Sequence, residues 1–152
     1  MRKALLIIDV QKEFAQDSSY IEQVKTFVKD NPYCAIIGTY FKNYENSNFV
    51  KKLDWHECMS SDASLIKCDK LIEKKGYGLS NYDLEFLKQF SDVLVFGMDS
   101  DACVLAICYQ LFDANINFHI LTKYCRSSGG QEMHQKAIEI MKHNFGSAVI
   151  EE

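Results

Sequence analysis

The strongest constraint in this sequence is the alternation of short, wholly apolar runs with longer amphipathic ones. Residues 3–9 (KALLIID), 33–40 (YCAIIGTY), 93–97 (VLVFG) and 117–122 (NFHILT) are too short for core helices. Most are apolar on both faces, as strands inside a parallel sheet are. Residues 70–73 and 148–150 are weaker strand candidates. Between these runs, residues 19–29 carry Ile21, Val24, Phe27 and Val28 at helical spacing, and Asn31-Pro32 stops that helix. Residues 49–53 suit a short helical turn, and Ser80 or Asn81 can cap a helix containing Leu84, Leu87 and Phe90. Residues 101–114 read as an interior helix, apolar on most faces. Ser128 and Gln131 match a capping box that opens a helix running to about Asn144. Residues 54–69 carry no readable pattern. The alternation predicts a three-layer α/β/α fold with a mostly parallel, Rossmann-like central sheet. Repeats and linker-like stretches are absent, so residues 1–152 are expected to form one domain. Ligands of such sheets bind beyond the carboxyl ends of the strands. That rule directs attention to Asp9, the loop after Gly97 and the loop after Thr122.

Composition narrows the partners. A net charge of -4 supplies no electrostatic reason for nucleic acid or an acidic membrane surface. The apolar run at residues 4–8 ends at Asp9, too short for a membrane span or a signal-peptide core. A cytoplasmic protein with a small-molecule partner is expected. Six cysteines are the unusual feature: Cys34, Cys58, Cys68, Cys103, Cys108 and Cys125. They include no C-x-x-C pair, and His56, Cys58 and Cys68 lack the usual zinc spacing, so neither disulfides nor a metal is expected. Most of these thiols should be small core hydrophobes.

Cys103 differs by position. With Ser100 as the N-cap, it becomes the third residue of a helix, where free backbone N–H groups favour a thiolate and can stabilise an oxyanion. The alternative is that it packs beneath the helix beside Cys108. Asp9 ends an apolar strand, where a carboxylate is costly unless paired, although a turn-forming aspartate fits as well. Lys74 and Lys75 precede Gly76 and, by themselves, read as solvated lysines.

Taken together, three patterns resemble the isochorismatase-like cysteine hydrolases, the superfamily that includes nicotinamidases. Leu6-Ile7-Ile8-Asp9-Val10-Gln11, followed by Phe14, is similar to the family's first strand. Lys74-Lys75-Gly76-Tyr77-Gly78 resembles its K-x-x-Y/F-S element, and the spacing of three selects Lys74 over Lys75. Gly97-Met98-Asp99-Ser100-Asp101-Ala102-Cys103-Val104 resembles its G-x-x-[ST]-D-x-C-V turn. Residues 125–130, His134 and residues 145–150 are similar to the family's last third.

The resemblance implies a catalytic Asp9, Lys74 and Cys103 that cleave a small amide or related C–N bond through a thioester, without a cofactor. It also implies a cis peptide between Met98 and Asp99 near an oxyanion site that includes Cys103, with Phe14 and Tyr77 in the substrate pocket. A homo-oligomer, dimer or larger, is implied too; Tyr40, Phe41 and Tyr44 are candidates for its contacts, with loop packing inside one chain as the alternative. There are departures. Nicotinamidases carry a metal on a D-x-H element, whereas residues 39–43 here read TYFKN, so no metal is expected. Gly78 replaces the usual Ser, and Lys123 stands where an Asp is common. His56, His119, His134 and His143 read as surface or structural, and Trp55 as a packing residue near the pocket. Two other readings stay open: a non-catalytic binding or scaffold subunit, and a redox sensor pairing Cys103 with Cys125.

Overall fold

Every residue of the first strand, β1 (Ala4–Ile8), is fully buried, and the rest of the fold is arranged about it. The computed structural model describes residues 2–60 and 64–152; within the unreadable stretch, residues 61–63 lie outside the described part. The elements that follow are α1 (Ser18–Lys29), β2 (Ala35–Phe41), α2 (Asn48–Leu53), β3 (Lys70–Lys74) and α3 (Asn81–Leu87). Then come β4 (Val93–Gly97), α4 (Cys103–Asp113), β5 (Phe118–Leu121), α5 (Gln131–Phe145) and β6 (Ile150–Glu151). The six strands form one sheet in the order β3-β2-β1-β4-β5-β6, and every pairing is parallel. This is the expected α/β architecture.

The strand order determines where a ligand can sit. The chain steps outward from β1 through β2 to β3, then returns to β4 on the other flank of β1. Connections therefore diverge above β1 and β4, leaving a crevice at their carboxyl ends. Asp9 follows β1 and Met98 follows β4, so both face that crevice.

Local chemistry explains most helix boundaries. Asp17 accepts from the Ser19 N–H at 2.9 Å and caps α1. Ser47 caps α2 through the Val50 N–H, and Ser80 caps α3 through the Asp83 N–H. Two expected caps are not used. Helix α4 begins at Cys103 instead of residue 101, because the Ser100 hydroxyl is directed to His134 Nδ1 at 2.8 Å. Helix α5 begins at Gln131 after Gly130, because Ser128 gives its N–H and hydroxyl to Asp99. Helix α4 is also less interior than expected. Val104, Ile107, Cys108 and Leu111 are buried, while Tyr109 and Phe112 remain exposed beside Phe145.

Candidate active site

Asp9 leaves β1 with φ of 49°, a left-handed conformation uncommon for a residue with a side chain. Thr39 of β2 holds it there: the Asp9 N–H donates to the Thr39 carbonyl and to Oγ1, both at 3.2 Å. Thr39 Oγ1 in turn donates to Asp9 Oδ1 at 2.7 Å. The other carboxylate oxygen receives Lys74 Nζ at 2.7 Å, in an ion pair whose side chains are 0% and 1% exposed. Parallel pairing of β3 with β2 sets Lys74 against Phe41 and brings the lysine to the strand ends. Its ammonium also donates to the Gly76 carbonyl at 3.0 Å and to Cys103 Sγ at 3.4 Å, so all three protons are directed. Lys75 lies outside, next to Glu73.

The turn that carries Cys103 is held just as closely. Gly97 has φ of 132°, and a Cβ there would lie 2.1 Å from the Ile8 carbonyl oxygen, so only glycine fits. The Met98 N–H donates to Ile8 at 2.8 Å, and the Arg126 N–H donates to Gly97 at 3.1 Å. The bond between Met98 and Asp99 is cis. The Ala102 and Val104 N–H groups both donate to the Asp99 carbonyl at 3.1 Å. Between them, the Cys103 N–H makes no hydrogen bond to another described residue. Met98 cannot donate to an oxyanion, because its N–H is already used. Cys103 thus supplies a free donor at this turn.

The electrostatics reverse one expectation. Burial pushes the Cys103 thiol well above the ordinary thiol range, and the Asp9 carboxylate pushes in the same direction; Lys74 opposes both. The thiol is therefore protonated at rest, and burial outweighs any preference of the helix terminus for thiolate. For Lys74, burial favours the neutral amine, but the Asp9 carboxylate beside it prevails and raises its pKa. Cys103 begins α4 at the first helical position, not the third.

Above Cys103 lies a cavity of about 210 Å³, small for a ligand site. Phe14 and Tyr77 line it, together with Phe41, Phe49 and Trp55, which sequence reasoning did not assign to the pocket. Phe41 is buried, so it offers no surface contact. Trp55 is presented by a loop fastened through Asn43, a residue that carried no signal in the sequence. Asn43 Nδ2 donates to the Trp55 and Glu57 carbonyls at 3.1 Å each, and Asn43 Oδ1 accepts from the Ser47 hydroxyl at 2.6 Å. Gly78 is explained locally. Gln110 clasps both the N–H and the carbonyl of Leu79, and a Cβ at residue 78 would lie 2.6 Å from its Oε1.

Other expected sites fall elsewhere. His134 is buried against Ser100, and His119 pairs with Asp92, so both are structural. Cys125 is buried, donates to the Leu121 carbonyl and has Cys108 and Tyr20 as neighbours. It makes no described contact with Cys103.

An isochorismatase domain profile matches residues 3–151. The chain belongs to the isochorismatase family. It is thus an isochorismatase-like hydrolase, although no curated protein sequence matches it. Solved structures share its fold. An isochorismatase-like hydrolase from Alkaliphilus metalliredigens superposes with TM-score 0.80 at 15% identity, covering 94% of this chain and 92% of that one. A nicotinamidase from Bacillus subtilis gives 0.77 at 18%, covering 99% and 100%. A pyrazinamidase of Pyrococcus horikoshii in complex with zinc gives 0.80 at 15%, covering 99% and 98%.

Among the described residues, no three His, Cys, Asp or Glu side chains converge on a metal position. Where the D-x-H element would stand, Thr39 is bonded to Asp9 and Asn43 to loop carbonyls. No described helix is long and apolar enough to cross a membrane.

Proposed function

We propose that this isochorismatase-family protein is a cysteine hydrolase that cleaves a small amide or related C–N bond through a covalent thioester. The observation that carries the reading is the buried Lys74 ammonium shared between the Asp9 carboxylate and the Cys103 sulfur at the end of an apolar cavity.

The resting thiol keeps its proton until a carbonyl carbon is in place. Sulfur then attacks that carbon, the thiol proton passes to Asp9, and the carbonyl oxygen becomes an oxyanion facing the Cys103 N–H group. Lys74 compensates the negative charge as it moves from carboxylate to sulfur. Collapse of the tetrahedral species breaks the C–N bond, and Asp9 returns the proton to the leaving nitrogen. Water then attacks the thioester: Asp9 takes a proton from the water, the C–S bond breaks, and the proton returns to sulfur as the acid leaves. The atoms balance without a cofactor.

The test is ammonia release from a panel of small amides, ureas and carbamoyl compounds. Wild type is expected to turn over at least one of them. Cys103→Ala and Asp9→Asn, with an unchanged circular dichroism spectrum, are expected to lose about 10³-fold or more. Full activity in Cys103→Ala contradicts the reading, and no turnover of any compound favours the non-catalytic alternative.

A further inference from the structure

We propose that the substrate is a cation: a small amide bearing a quaternary or protonated ammonium group, held inside the aromatic cavity and facing Asp99. The proposal rests on the amidase reading above and supplies the substrate class that reading lacks.

Three features of the cavity wall support it. First, the rings form a connected box. Phe41 and Phe49 have centroids 4.8 Å apart, Phe49 and Tyr77 5.1 Å, Phe41 and Trp55 5.8 Å, and Phe14 and Trp55 6.0 Å. Aromatic faces carry negative potential, and a box of them favours an alkylammonium group. The box already accepts one cation at its base, where Lys74 Nζ lies 5.6 Å from the Phe41 centroid.

Second, Asp99 lines the same cavity, and its carboxylate is oriented by Ser128, through the N–H at 2.9 Å and the hydroxyl at 2.6 Å. Those hydrogen bonds fix its direction without neutralising it. No described lysine or arginine pairs with it, and the charged side chains that act on it, Asp101 and Asp9, are themselves carboxylates. Third, the nearby cation that might have compensated it is committed elsewhere. Lys74 spends its three protons on Asp9, Gly76 and Cys103. A partly buried carboxylate in an aromatic pocket, with no cation of its own, is complementary to a positively charged guest and repels an anionic one.

Trp55 is the only tryptophan in the chain and lines the cavity, so its fluorescence reports occupancy. The experiment titrates Cys103→Ala, which does not consume ligand, with trimethylammonioacetamide and with its uncharged carbon isostere, 3,3-dimethylbutanamide. The cation is expected to bind about tenfold or more tightly than the isostere. Adding Asp99→Asn is expected to reduce that ratio to about threefold or less and to leave the isostere's Kd nearly unchanged, which also shows that the pocket remains intact. Equal binding, tighter binding of the isostere, or no response to the cation overturns the proposal.

Ammonia release by wild type separates the two readings. Cysteine-dependent turnover of neutral amides without charge preference leaves the amidase reading standing and removes this one. Charge-selective binding with no turnover of any amide removes the amidase reading, and the role of substrate with it, and leaves the cavity's preference for a cation.

Discussion

The floor and the wall of the cavity are built by different means. The floor hangs from the sheet: Asp9 ends a strand buried along its whole length, Lys74 ends β3, and Cys103 follows a turn tied to β1 through Met98 and Gly97. Its polar groups are paired with one another. The wall is presented by α2, which has no buried residue, and by the loop after it, which carries Trp55 and is fastened through the side chain of Asn43. On the proposed reading, the groups that make bonds stand on the buried sheet, and those that select a guest stand on the part most easily altered.

Mutations at the two regions should behave differently, and the largest effect belongs to the floor. Lys74→Met leaves Asp9 as an uncompensated buried carboxylate. Its expected cost is about 3–5 kcal/mol of stability by urea denaturation, together with a fall in kcat of about 10²-fold or more. A stable, active Lys74→Met would mean that the floor does not depend on its ion pair. At the wall, Asn43→Ala frees the Trp55 loop and is expected to raise KM about tenfold with little change in kcat, measured by steady-state kinetics. A fall in kcat alone would place the loop in the chemistry instead.

The smallest effect lies with thiols in both regions. Burial pushes Cys58, beside the wall loop, and Cys125, under the floor, up to about 12. In the unfolded chain these thiols lose their protons near about 9, so raising the pH from 9 to 12 removes protons from the unfolded state first and favours unfolding. A decline in Tm of about 5 °C or more is expected between pH 8 and 11, with little change between pH 7 and 8. A flat profile would argue that neither thiol is held away from water.

The sheet was legible because its strands are short, apolar on both faces and set apart by helical runs, and a buried parallel strand has few other ways to look. Asp9 stood out because it breaks that pattern at a strand end, but its grouping with Lys74 and Cys103, which the structure brings together, came from the family resemblance. The wall was not legible. Asn43 and Trp55 lie in polar loop sequence, and their roles come from hydrogen bonds spanning 12 to 14 residues that have no periodicity. Caps failed for a related reason. Ser100 and Ser128 are good N-cap residues locally, but each has a stronger tertiary partner, His134 for one and Asp99 for the other. The position of Cys103 suggested a thiolate, because the dipole can be read from sequence and the burial that overrides it cannot.

The most direct test of the central claim is intact-protein mass spectrometry after rapid acid quench during turnover of the best amide from the panel. A species heavier by the substrate's acyl group, mapped to the Cys103 peptide and absent from Cys103→Ala, is expected. Turnover that proceeds with no acyl adduct on Cys103 at any quench time, or undiminished in Cys103→Ala, would contradict it.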